Sequence, residues 1–403
     1  MPGVASRAPT AFLGREPHLS TPRTAKTARA EIFRPLAPEM LADPYPVYAR
    51  LRAEDPVHWH EGLRALVLTR HADCTRVLRE HGVFSADPRK LGKPIAAQVI
   101  SLQTMDPPEH SIIRHHFVAA LKRRDLATWA AGVAATADEL VAAVGTEPFD
   151  FVADIAEPLA LSAMCLLYGV NYPLDDTVFR TASRTLALGM DAGLAPERRA
   201  PALAARETIN EMIRQWVSDP PRHSVLAHLD DITAVPSEHL VNSARAIFDA
   251  GYSTTANFLG NAVRWLLANG HRDALGTLDT RAVDELARLV GPVQAVSRLC
   301  LEDTEFGGRS IGRGEIVIAL LGAANHDPEV FPDPQRAEFG RAPNPHLGFG
   351  RGVHSCLGSH IGNRIMVALS RSLASVRLES AGAHRQRPTA TQRGLDLLPL
   401  RVR

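Results

Sequence analysis

The sequence has little cysteine, no excess of either charge and no long apolar run, and each lack excludes a class of protein. Four cysteines in 403 residues (Cys74, Cys165, Cys300 and Cys356) lie far apart and form none of the paired spacings of a secreted disulfide framework. A reducing cytoplasm is therefore the expected location. Lysine and arginine total 45 against 44 aspartates and glutamates, a net charge of +1, which gives no electrostatic ground for nucleic acid or an anionic membrane as main partner. No apolar stretch reaches the ~18–20 residues of a membrane span. Residues 1–32, rich in Ala, Arg, Thr and Pro, lack the apolar centre of a signal peptide and read as a flexible tail. Repeats and internal linkers are also missing, so residues 33–403 read as one domain.

The composition, 45% hydrophobic and 22% charged, is that of an ordinary soluble globular protein. LADPYPVYARLRAEDPVHWH predicts a proline-punctuated helix and then a strand, with a helix from about Ala72. Mostly helical patterns continue to Leu229. From Ser237, a good N-cap, to Gly270, a good stop, the sequence predicts a helix of roughly 32 residues and ~50 Å, apolar on most sides and hence central. Another helix is expected from Thr280 to Leu289, then a hairpin region, then irregular proline-rich chain from His326 to His346. The fold class is mainly α with a small β portion.

FGRGVHSCLG (residues 349–358) sets Cys356 in a glycine-rich loop at a helix start. Gly350, Gly352 and Gly358 permit positive φ and close approach of backbone to something flat or large. Backbone N–H groups and the following helix favour a thiolate. Three roles compete. A nucleophile would find a base in His354 or His360 but leaves the glycines unexplained. Zinc would have His346, His354, Cys356 and His360, yet structural zinc sites favour several paired cysteines. A haem accounts for thiolate, glycines and Phe349 together.

Residues 349–358 resemble the haem loop of the cytochrome P450 family at Phe349, Gly350, Gly352, His354, Cys356 and Gly358. The resemblance extends from about residue 33 to 403 and implies the family's single fold around its long central helix. It makes Cys356 the axial thiolate of haem b (iron protoporphyrin IX), pushing electron density to the iron. Phe349 would pack beside the sulfur and His354 would reach a haem propionate. Glu285-Leu-Ala-Arg288 matches the family's Glu-x-x-Arg pair, which by itself fits a solvated helix equally well; with Arg336 it would buttress the loop, although Ala337 stands where an aromatic is usual. In MDPPEHSIIRHHF, His110 and Arg114 share a helix face, in isolation an ordinary helix start; by resemblance they join Arg298 and His354 as propionate partners.

AGYSTTA, within the long helix, carries glycine and paired threonines that suit a helix interior poorly. In the family this is the oxygen-binding kink: Thr254 would help deliver protons, and Ala250 and Gly251 would make room for dioxygen. The departure is Ser253, where the family usually has Asp or Glu. Asp249, one turn earlier, either replaces that acid or pairs with a basic neighbour elsewhere. The resemblance implies a monomeric oxidoreductase that activates dioxygen to oxidise a small organic substrate, in specialised metabolism, with electrons from a ferredoxin or flavodoxin. Ser253 raises the alternative of coupling, desaturation or nitration in place of hydroxylation; a catalytically silent haem-binding accessory is the other class. Substrate contacts are expected from residues 85–101, the helix near Phe248, Ala295–Ser297, residues 182–202 and residues 394–398.

Overall fold

A computed structural model describes residues 32–222, 224–227, 229 and 232–403. Apart from Ile32, the expected tail lies outside the described residues. Among the described residues the helices are α1 (Pro38–Ala42), α2 (Tyr45–Glu54), α3 (His71–Arg79), α4 (Glu109–Arg123), α5 (Leu126–Ala143), α6 (Glu157–Tyr168), α7 (Thr177–Gly189), α8 (Arg199–Ser218), α9 (Ser237–Ala268), α10 (Thr280–Val290), α11 (Leu321–Ala324) and α12 (Ser359–Ser372). The strands are β1 (Val57–His60), β2 (Ala65–Leu68), β3 (Phe84–Ser85), β4 (Phe149–Asp150), β5 (Val296–Cys300), β6 (Thr304–Phe306), β7 (Arg309–Ile311), β8 (Ile316–Ala319), β9 (Leu378–Ser380), β10 (Arg385–Gln386), β11 (Leu395–Leu397) and β12 (Pro399–Val402). The architecture is mainly helical with small sheets, as the sequence predicts. None of these helices is long and apolar enough to cross a membrane.

The largest sheet has the order β1-β2-β8-β5-β3. Its centre is the parallel pair β2 and β8, in register from Ala65 opposite Ile316 to Leu68 opposite Ala319. All four residues of β2 are buried, which is why Ala-Leu-Val-Leu reads as an unbroken apolar run. The expected hairpin is β6–β7; β8 leaves it to join the large sheet, and the following Leu-Gly-Ala-Ala turns into α11.

Helix α9 is 32 residues long and buried on nearly all sides, in contact with α6, α7, α8, α10 and α12. Ser237 is its first helical residue and not its cap: Pro236 holds the N-cap position, and no side chain bonds the first amides. At the other end Asn269 N–H donates to Trp265 O (3.0 Å), and Gly270 follows at φ +77°, the left-handed stop that glycine allows. The helix runs unbroken through AGYSTTA, so the expected kink is absent here as a break in the helix.

Candidate active site

The cysteine loop is closed by its own backbone. Cys356 N–H donates to Phe349 O (2.8 Å), Gly350 N–H to Leu347 O (2.9 Å) and Ser355 N–H to Gly352 O (3.1 Å). Gly350 (φ +64°) and Gly352 (φ +72°) occupy the left-handed region that these turns require. A Cβ on Gly352 would also collide with the Leu78 carbonyl of α3. Gly358 has another role: its φ is −100°, and an added Cβ would meet nothing within 4 Å, so the bed beside Cys356 is open. Cys356 is exposed, whereas Cys74, Cys165 and Cys300 are buried. Burial pushes Cys165 up to about 12 and Cys300 up to about 11, which keeps both as inert thiols. Cys356 opens on one side while protein encloses it on the others; that enclosure raises its pKa, and the Gly358 amide and Arg114 guanidinium draw it back toward thiolate.

Behind the loop lies a saturated ion cluster. Glu285 and Arg288 on α10 have fully buried side chains and meet through two hydrogen bonds, Nε to Oε2 (2.8 Å) and Nη2 to Oε1 (2.7 Å). The third charged member is Arg341, whose Nε lies 3.2 Å from both Glu285 oxygens. This corrects the expectation for Arg336, which contributes only its backbone carbonyl to Arg288 (3.3 Å). Glu285 also accepts from the Glu338 amide (3.0 Å) and Asn344 Nδ2 (3.2 Å). Asn325, unremarked in the sequence, couples the cluster to the loop: its carbonyl accepts from Arg288 (2.9 Å) and its Oδ1 from Leu347 N–H (2.6 Å).

The four expected propionate partners gather around the loop and Asp106. Arg114 donates to Ser355 O (2.8 Å) and Oγ (3.2 Å), beside Cys356. His354 Nε2 pairs with Asp106 Oδ1 at 2.9 Å; Asp106 also receives Ser85 Oγ (2.5 Å) and lies 3.4 Å from Lys90 Nζ. The sequence reading missed Asp106, although it lies in the MDPP match. Burial alone would raise Asp106, but His354, Ser85 and Lys90 outweigh it and hold the carboxyl far below its usual range. The His110 ring stands edge-on to His354, centroids 4.6 Å apart. Burial, with His354 and Arg114 nearby, pushes His110 down to about 4, so it is neutral at pH 7. Both His110 ring nitrogens are buried without a hydrogen-bond partner. Arg298 donates to the adjacent Ser297 carbonyl (2.8 Å). This donor set fits the carboxylates of a haem: unpartnered His110, Arg298 with donors to spare, and an open bed at Gly358. Among the described residues no three His, Cys, Asp or Glu side chains gather as a metal site, which weighs against the zinc reading.

The middle of α9 has one accessible face. Ile247, Ala250, Gly251 and Thr254 are partly exposed, spaced i, i+3, i+4 and i+7, while the residues between them are buried. Thr254 Oγ1 donates to Ala250 O (2.7 Å), the back-bond expected of a helical threonine. Gly251 also makes room for a neighbouring helix, because the side chain it lacks would collide with the sulfur of Met164 on α6. Ser253 is buried and accepts from Gln392 Nε2 (3.2 Å), whereas Asp249 accepts from Ser183 Oγ on α7 (2.6 Å). The two turn to different partners. Phe248 is fully buried among Tyr168, Phe179 and Trp216, centroids 5.0–5.4 Å away, so it packs in the core and its neighbours Ile247 and Ala250 carry the accessible surface. Asn242 holds the carbonyls of Ala97 and Ile100 (2.9 and 3.0 Å), fixing the 97–105 segment between α9 and the Asp106 cluster.

The family model for Cytochrome P450 matches residues 277–400, the stretch holding the ion cluster and the cysteine loop. The chain is 33% identical over 363 residues to nocardicin C N-oxygenase of Nocardia uniformis subsp. tsuyamanensis, covering 84% of this chain and 89% of that protein. It is 31% identical to cytochrome P450 monooxygenase PikC of Streptomyces venezuelae, covering 91% of this chain and 93% of that one. The crystal structure of CYP109E1 from Bacillus megaterium in complex with testosterone shares the fold, with a TM-score of 0.80 at 24% identity over 90% of this chain and 98% of that one.

Proposed function

Because this chain belongs to the cytochrome P450 family of monooxygenases, we propose that Cys356 ligates the iron of a haem b and that a small organic substrate is oxidised beside the accessible face of α9. The observation that carries this reading is the exposed Cys356 in a closed, buttressed loop, with unpartnered His110 nitrogens nearby. When bound, the haem supplies the activation of dioxygen, at the expense of two electrons, for insertion of one oxygen atom. The chain supplies the setting. Arg114 and the Gly358 amide favour the thiolate, and the Glu285–Arg288–Arg341 cluster fixes the loop that presents it. His110, Arg298 and Arg114 are the partners for the propionates; His354, held by Asp106 through Nε2, orients beside them. Ile247, Ala250 and Thr254 border the substrate, and the Thr254 hydroxyl is the proton-handling group on α9. Electrons come from a ferredoxin or flavodoxin docking on the cysteine side. The names of the two relatives, nocardicin C N-oxygenase and PikC, favour a substrate from specialised metabolism.

A second reading concerns the product. Ser253 takes the usual acid position beside Thr254, and its hydroxyl is engaged by Gln392. Coupling, desaturation or nitration is favoured over hydroxylation to the extent that proton delivery is impaired. A spectral binding screen on the haem-loaded protein tests the first reading: substrates shift the Soret band, and Cys356→Ser abolishes the thiolate-ligated spectrum with turnover. A Cys356→Ser protein with an unchanged spectrum sinks it. Ser253→Glu tests the second; product ratios and peroxide leak that stay at wild-type values remove it.

A further inference from the structure

The contact between α8 and α9 buries one cation and half-buries a second, both with too few partners. Arg245 on α9 is 1% exposed, and its Nε and Nη2 are buried without a hydrogen-bond partner. Arg206 on α8 has a buried Nε in the same condition. The two guanidiniums lie in each other's field, and Asp249 is the acid nearest to both in effect. Neither arginine forms an ion pair among the described residues, and the Asp249 carboxylate is taken up by Ser183 Oγ. Burial, with Arg206 adding to it, lowers Arg245 to about 10, so it remains charged at pH 7. Two cations and one acid leave a net positive charge at the contact, with buried N–H donors on both arginines that face no acceptor. Such donors are costly to bury unfilled, and a guanidinium fork is the group that best grips a carboxylate.

We infer that the α8–α9 contact is an anion site that takes the carboxylate of a small organic acid, with Arg245 and Arg206 as its donors. Asp249 offsets one of the two cations, which suits a monoanion over a phosphate dianion. Tyr168 lies in the field of Arg245 and packs on Phe248, which in turn packs on Trp216, so the surroundings are aromatic and fit an apolar acid. Arg245 and Asp249 lie one turn apart on the face of α9 opposite the Ile247–Ala250–Thr254 stripe. The acid is therefore an effector that sets the α8–α9 contact, held on the side of α9 away from the stripe that borders the substrate. The inference stands apart from the oxidation proposed above, because binding is read without turnover.

The test compares benzoate and octanoate with their methyl esters on the haem-loaded full chain, by calorimetric titration and by shift of Tm. The acids are expected to bind at least about tenfold tighter than the esters. Arg245→Met should lower acid affinity about tenfold without changing that of the ester, and Asp249→Asn, which removes a competing carboxylate, should raise it. Equal binding of acid and ester overturns the site, as does unchanged acid affinity in Asp249→Asn, which decides the matter even if Arg245→Met does not fold. No binding of either acid means that the donors hold only water, and the site is lost. With a redox partner added, an acid recovered unchanged acts as an effector, whereas an acid recovered oxygenated has bound on the substrate side of α9 and overturns the assignment.

Discussion

Glu285, behind the cysteine loop, and Asp249, at the α8–α9 contact, are both buried helical carboxylates, and the chain treats them in opposite ways. Glu285 accepts from Arg288, Arg341, Asn344 and the Glu338 amide. Asp249 accepts from one hydroxyl, with two arginines in its field but out of contact. Burial pushes both carboxyls upward; for Glu285 the Arg288 hydrogen bond and charge, the Glu338 amide and Arg341 reverse it, so its pKa falls below the ordinary range. For Asp249 burial wins over Arg245, Ser183 and Arg206, and its pKa rises. The carboxylate behind the loop is saturated with donors, and the one at the α8–α9 contact is left with a single donor.

The sharpest way to break that contrast is to remove Glu285. Glu285→Ala leaves Arg288 and Arg341 buried without their acid and is expected to destabilise the protein by about 3–5 kcal/mol, measured by denaturant unfolding of the haem-loaded chain. A loss under ~1 kcal/mol would mean that the cluster does not brace the loop. Acid and base titration of stability comes next, because the two carboxylates carry opposite signs. The stabilisation from Glu285 is full above the ordinary glutamate pKa and is lost as pH falls through its depressed folded value. For Asp249 stability is full below the ordinary aspartate pKa and declines as pH rises toward the elevated folded value, by at most ~1.4 kcal/mol per pH unit. Glu285→Gln should therefore flatten the acid side of the stability profile, and Asp249→Asn the decline above roughly pH 4. Profiles that change on the same side in both variants would erase the comparison.

The cysteine side was also the more legible in sequence. Cys356 with its glycines, and Glu285 with Arg288, are short-range patterns whose spacing carries their geometry, and the long helix announced itself by its length and apolarity. Arg341 was missed because the proline-rich stretch has no periodicity from which to choose between it and Arg336. Asp106 and Asn325 were missed because each works by bridging segments hundreds or tens of residues apart, His354 in one case and Leu347 in the other. On the other side, the sequence flagged Gly251, Ser253 and Asp249 as odd but gave no direction for any of them. Their partners, Met164, Gln392 and Ser183, come from three other elements. Small residues in a helix can serve a ligand or a neighbouring helix, and only the packing tells which.

Two glycines measure that distinction at the smallest scale. Gly352, in the cysteine loop, has φ +72°, and an added Cβ would run into the Leu78 backbone, which cannot yield. Gly352→Ala should lose at least about 1–2 kcal/mol for the left-handed backbone alone, together with part of its haem during purification. Gly251 is helical, and its added Cβ would meet only the flexible end of the Met164 side chain. There alanine gains about 0.5–1 kcal/mol of helix preference, which offsets the shift of the thioether. Gly251→Ala is thus expected to change stability by less than about 1 kcal/mol, and to cost less in a Met164→Ala background than in the wild-type chain. If Gly251→Ala instead leaves stability intact but weakens substrate binding, and Met164→Ala does not restore it, the glycine serves the cleft and not the helix beside it.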